Sequence, residues 1–213
     1  YNLFFFSGLK YIQANQAALI IATNPIFISL SAALFLKENL NRFKIAGLLL
    51  SVCGALIVIT NGHPTTLFTM GIGRGELLIF GCVASWVAYS IIGKAALKDM
   101  SPITSVAYSA VAGTLFLLLP ALNAGLPGNL STYTLPQWAS LFYLGFFGTV
   151  LGFYWYYQGI QAIGPTRAGM FINFVPASAI VLSFFILKEP LTLSLVTGAA
   201  FVITGVWLAN RPG

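Results

Sequence analysis

The chain has 213 residues, of which 58% are hydrophobic and only 7% charged, and its mean hydropathy is +0.90. Soluble domains carry about a quarter of their residues as charges, so a water-facing fold of this size would lack a surface. Ten Lys and Arg against four Asp and Glu give a formal charge of +6, but these residues are scattered singly or in pairs, which argues against the basic face that a nucleic-acid partner needs.

In chain order, a short apolar stub at 1–11 precedes apolar runs at about 17–36, 43–60, 77–93, 102–122, 138–163, 168–187 and 191–209. A spanning helix needs about 20 such residues, so the pattern predicts seven spans and part of an eighth. No basic segment or small-residue cleavage site marks a signal peptide, and the chain reads as beginning partway through a protein. Cys53 and Cys82 each lie inside an apolar run and are expected in packing rather than in a disulfide or a metal site. Short connections make successive spans antiparallel neighbours.

A Lys, Arg or Asp at mid-span costs about 2.5–3.5 kcal/mol on the insertion scale, and here such residues avoid the span centres. Counting alternate turns gives seven basic residues on one side (Lys37, Arg42, Lys44, Lys94, Lys98, Arg167 and Arg211) and three on the other (Lys10, Arg74 and Lys188). That bias predicts a cytoplasmic C-terminus for an integral protein of the plasma (bacterial inner) membrane.

Sliding the chain against itself by 151 residues aligns 1–58 with 152–209 without a gap. Gly8 meets Gly159, Pro25 meets Pro176, Leu36-Lys37-Glu38 meets Leu187-Lys188-Glu189, Gly47 meets Gly198 and Gly54 meets Gly205. The two Lys-Glu turns fall on opposite sides of the membrane, so the copies form an inverted repeat. This predicts an all-α polytopic protein of two five-helix inverted repeats, ten helices when whole, with about seven and a half in this chain. Residues 1–62 close the first repeat, 63–74 form an external linker and 75–210 make the second.

A proline-containing helix, a Leu-Lys-Glu turn and a glycine-rich final helix, duplicated in order at Asn24-Pro25 through Gly54 and Val175-Pro176 through Gly205, resemble the EamA-type transporters of the drug/metabolite transporter superfamily. The likeness covers essentially the whole chain. It implies a ten-helix exporter or permease of small organic solutes with a central cavity, and leaves the solute open.

Close helix packing in a membrane relies on small residues. Gly47, Ser51 and Ala55, then Gly145, Gly148 and Gly152, form two such rows, with Gly198 and Gly205 a third. A solute path should instead present polar or aromatic groups at membrane depth on one helix face. Gln16, Thr23, Asn24, Phe27 and Ser31 form one stripe, and Arg167, Phe171, Phe174 and Ser178, with Asn173 beside them, form its repeat mate. Trp86 and Tyr89 belong to a third stripe that includes Cys82, Ser85 and Gly93. Among the five consecutive aromatics Phe153–Tyr157 some must face lipid; if one lines a cavity, Tyr157 or Tyr154 is as eligible as Tyr156. Pro25 and Pro176 interrupt their helices and serve either as fixed kinks or as hinges.

The paired Lys-Glu turns, followed by Asn39 and Pro190, read as capping elements. Asn129-Leu130-Ser131 reads as a chance sequon. No Asp, Glu or His occupies mid-span, so transport is facilitated, or is coupled through helices outside this chain, or uses Arg167. One His, four acidic residues and two isolated Cys are too thin an inventory for an enzyme or a metal site, and no cofactor is expected. The partners are a small-molecule substrate and the bilayer. A structural or assembly subunit without transport activity is the alternative function.

Overall fold

The computed structural model describes residues 1–12, 14–60, 62–63, 65, 73–123, 125, 132–175, 178, 192–209 and 211. Among these every regular element is helical, in the order α1 (Asn2–Gly8), α2 (Ala14–Ile21), α3 (Asn24–Leu36), α4 (Arg42–Ile59), α5 (Arg74–Ala96), α6 (Pro102–Asn123), α7 (Leu135–Tyr143), a π-helical stretch Leu144–Leu151, α8 (Gly152–Ile163), α9 (Pro165–Met170), a 3-10 turn Phe171–Asn173, and α10 (Leu193–Ala209). Helices α4, α5 and α6 are each long and apolar enough to cross a membrane. Pro190, Lys188, Glu189 and the sequon lie outside the described residues.

Local sequence explains the boundaries. Asn41, rather than the expected Asn39, caps α4, its side chain accepting from the Lys44 N–H at 2.8 Å. Glu76 accepts from the Gly73 N–H at 2.8 Å at the start of α5, where the positive end of the helix dipole favours a carboxylate. At the end of α3, Lys37 adopts a left-handed conformation with φ 55°, a C-terminal motif that glycine usually supplies. The expected single run through 17–36 is divided: Ala22 and Thr23 form a turn between α2 and α3. Pro25 then sits in the first turn of α3, where a missing N–H is tolerated.

The contacts divide the chain into two compact units, Tyr1–Ile92 with Ile163–Gly213, and Gly93–Ala162. The first unit contains α4 and α10, which run antiparallel in close backbone contact. A Cβ on Gly205 would lie 2.6 Å from the Gly47 carbonyl oxygen, and one on Gly54 would lie 2.6 Å from that of Gly198. The 151-residue offset carries Gly47 to Gly198 and Gly205 to Gly54, so these are one contact seen twice. An interface that maps onto itself between antiparallel helices has a local pseudo-twofold across the helix axes, the relation that inverted repeats require. Ala22, Leu48, Val52, Ala55, Met170 and Val202 bury themselves around this pair, while Ala17, Ile20, Ile79, Cys82 and Val83 form a second cluster. Cys53, expected in packing, is exposed on α4, whereas Cys82 is buried; both are free.

In the second unit, α7, the π-helical stretch and α8 follow without a break. Among the described residues Gly145 and Gly148 meet nothing within 4 Å, and Gly152 meets only the Phe147 carbonyl of its own winding. The small-residue row expected there lies in a π-helical stretch, whose wider winding shifts residues at α spacing off one face. Tyr157 is buried, and its ring lies over Gly93, where a Cβ would fall 2.5 Å from the ring Cζ. Gly93→Ala is therefore expected to destabilise the protein by about 1–3 kcal/mol, the usual range for overpacking, read as a lower melting temperature of the purified protein. An unchanged melting temperature would mean that the ring moves aside freely.

Large apolar side chains are exposed on both units, while several polar side chains are buried beside the apolar clusters. Phe116 and Leu135 are each 82% exposed, whereas Ser29, Ser51, Ser90 and Thr166 are fully buried. Such a distribution suits a hydrocarbon solvent.

Candidate functional site

The first unit encloses a cavity of about 450 Å³, within the usual size of small-molecule sites. Tyr1, Phe5, Ile21, Asn24, Trp86 and Asn173 supply most of its character. Among the described residues, smaller side chains such as Ala18 and Ala22 extend a wall that is almost wholly apolar and carries no charged side chain.

Repeat symmetry runs through this wall. Ile21 and Ile172 are mates under the 151-residue offset, as are Ala22 and Asn173, and Asn24 and Val175, and all six line the cavity. Each repeat thus contributes one amide, but at non-equivalent positions.

Both amides are 1% exposed. Asn173 donates its side-chain N–H to Ser51 Oγ at 2.9 Å, which ties the 3-10 turn to α4. Neither Asn24 Oδ1 nor Asn173 Oδ1 has a hydrogen-bond partner among the described residues. A buried acceptor left without any partner costs about 1–3 kcal/mol. Trp86 faces Tyr1 edge-on at 5.7 Å between ring centroids and lies 5.7 Å from Tyr89, giving one wall a continuous aromatic surface.

The expected stripes are divided. Thr23 is half-buried and returns its hydroxyl to the Ile20 carbonyl within its own turn. Phe27 is 42% exposed and, with Ser31, lines a separate apolar groove along α5 that includes Phe80 and Val87. Asn24 and Phe27 share α3, and the step of about 300° between them around the helix axis turns them to different surfaces. Phe171 is 48% exposed and stacks on Phe174, which packs against the α4–α10 cluster. Arg167 donates Nε–H to the Ala209 carbonyl at 3.1 Å and so closes the C-terminal end of α10, a favourable place for a cation. Tyr89 adjoins Trp86 without lining the cavity, and Tyr157 belongs to the other unit. Pro25 is buried at the α3 start, whereas Pro176 and the side chain of Gln16 lie outside the described residues.

Sequence reading did not select Tyr1 and Phe5, because the stub at 1–11 is too short to read as a span. It also missed a polar bridge in the same unit. Glu38 Oε1 pairs with Lys44 Nζ at 3.0 Å, the side chains being 17% and 13% exposed. Glu38 Oε2 accepts from the Thr166 hydroxyl at 3.0 Å, and Gly164, at φ 84°, turns the chain beside that carboxylate. This bridge joins the turn after α3 to the start of α9.

Matching against protein-family models finds the EamA-like transporter family over residues 1–60 and 73–211. The chain belongs to the EamA-like transporter family. It is an all-α integral membrane protein of a transporter family. The chain is 34% identical to the uncharacterized transporter YyaM of Bacillus subtilis, covering 99% of this chain and 68% of that protein. It is 28% identical to the uncharacterized transporter YetK of the same organism, covering 94% of this chain and 61% of that protein. A probable terminal-alkyne amino-acid exporter of Streptantibioticus cattleyicolor is 30% identical, over 96% of this chain and 66% of that protein. A crystal structure with 22% identity superposes with a TM-score of 0.76 over 98% of this chain and 71% of that one, which shows a shared fold. The chain spans about two thirds of the length of these curated EamA relatives.

Proposed function

We propose that this chain supplies the solute-handling cavity of a transporter that moves small organic metabolites, amino-acid-like or amphiphilic, by alternating access, with no catalytic role. The single observation that carries the reading is the cavity of about 450 Å³ lined by repeat-related residues and holding two buried amide carbonyls without partners among the described residues. Near-equivalent inverted copies give inward-open and outward-open arrangements of similar energy. The amino-acid exporter among the relatives supports solutes of that size. The repeat division at 1–62, 63–74 and 75–210, residence in the plasma membrane and a cytoplasmic C-terminus belong to the same proposal.

The test is flux of a labelled metabolite panel through proteoliposomes carrying the full-length protein, with and without a proton gradient. Ala18→Trp fills the cavity without touching the α4–α10 contact, and is expected to reduce flux by about tenfold or more while leaving the melting temperature within about 3 °C. Undiminished flux in that variant would move the solute path elsewhere.

A further inference from the structure

We propose that the cavity recognises the amino group of its solute: the side-chain carbonyls of Asn24 and Asn173 accept hydrogen bonds from an ammonium or other N–H-rich head, while Trp86 and Phe5 hold an apolar or aromatic body. The inference rests on the cavity being the solute path and names what that path selects.

Two buried carbonyl acceptors belong to residues that line this site. Asn173 has already committed an amide N–H to Ser51 Oγ, which leaves its carbonyl oxygen toward the remaining space. Asn24 contributes a second buried carbonyl oxygen with no partner among the described residues. Among the described residues no Lys or Arg lines the wall, and two cations of the same unit have other partners: Lys44 lies against Glu38 and Arg167 on the Ala209 carbonyl. A carboxylate entering alone would meet carbonyl dipoles of the wrong sign and no counter-charge in a low-dielectric site. An ammonium meets two acceptors and the face of an indole, the strongest aromatic partner for a cation.

The experiment is isothermal titration of the full-length protein in lipid nanodiscs with two probes that share one aromatic body, phenethylamine and 3-phenylpropionate. Phenethylamine is expected to bind at least about tenfold more tightly, the magnitude of one hydrogen bond to a charged group. Asn24→Leu is expected to erase most of that preference, and Asn24→Asp to enlarge it by supplying a carboxylate. Because the preference is a ratio measured within one protein preparation, a general loss of stability does not imitate it. Equal binding of the two probes, no binding of either, or a ratio unchanged in both variants overturns the inference. Selective amine binding without flux of any solute through vesicles would support the head-group assignment while removing the transport path; flux of acids with no amine preference would do the reverse.

Discussion

Gly205→Val is expected to abolish the folded protein or lower its melting temperature by well over 5 °C. A Cβ at this position would lie 2.6 Å from the Gly47 carbonyl oxygen, 2.6 Å from the Ser51 nitrogen and 2.9 Å from the Ser51 Cβ. Two of these atoms are backbone of α4 and cannot rotate away, so the helices must separate. Overpacking usually costs about 1–3 kcal/mol, and a chain of this length loses roughly 2–4 °C for each kcal/mol. Separation would also strip the contacts made at the mate position, where Gly54 meets Gly198. The control is Gly113→Ala in α6, whose added methyl meets nothing within 4 Å; it is expected to stabilise by about 0.5–1 kcal/mol. Thermal unfolding followed by circular dichroism decides the matter, and a Gly205→Val protein melting within about 2 °C of the parent would refute the close contact.

Glu38→Leu is expected to have the second largest effect. It removes the partner of Lys44 and the acceptor of the Thr166 hydroxyl at once. Breaking a buried ion pair from one side costs about 3–5 kcal/mol, but this pair is only partly buried, at 17% and 13% exposure, and Lys44 Nζ also donates to the Asn39 carbonyl at 2.8 Å, so a loss of about 1–3 kcal/mol is expected. Adding Lys44→Met to the same chain removes the orphaned charge, so the double variant is expected to be more stable than Glu38→Leu alone. A double variant as unstable as the sum of the two single ones would assign the loss to packing instead of charge, and a melting temperature unchanged in Glu38→Leu would make the pair dispensable.

Much of the architecture was legible because the bilayer imposes lengths and charge placements that appear directly in the residues. The rows Gly47, Ser51, Ala55 and Gly198, Gly205 became the α4–α10 contact, since small residues at helical spacing leave a flat strip on one face. Asn24 and Asn173 stood out for the same reason that makes them useful, an amide being costly at membrane depth without a purpose. Phe27 was grouped with Asn24 because residues three apart on a helix share a face only loosely, and on α3 the two line different surfaces. Spacing likewise assumes α geometry, so the π winding at Leu144–Leu151 hid the isolation of Gly145 and Gly148. Glu38 and Thr166 lie 128 residues apart, and nothing local to either residue announces the other.

The contact of α4 with α10 carries a consequence for how such a chain could arise. Since the pairing of Gly47 with Gly205 becomes, under the repeat offset, the pairing of Gly54 with Gly198, each copy offers the other the very surface it receives. A polypeptide of half the length, inserted in both directions, would find in its upside-down twin a ready partner through this one helix. Fusing the two into a single gene would then need no new interface, only a linker, after which the two amides were free to settle at different positions in each half.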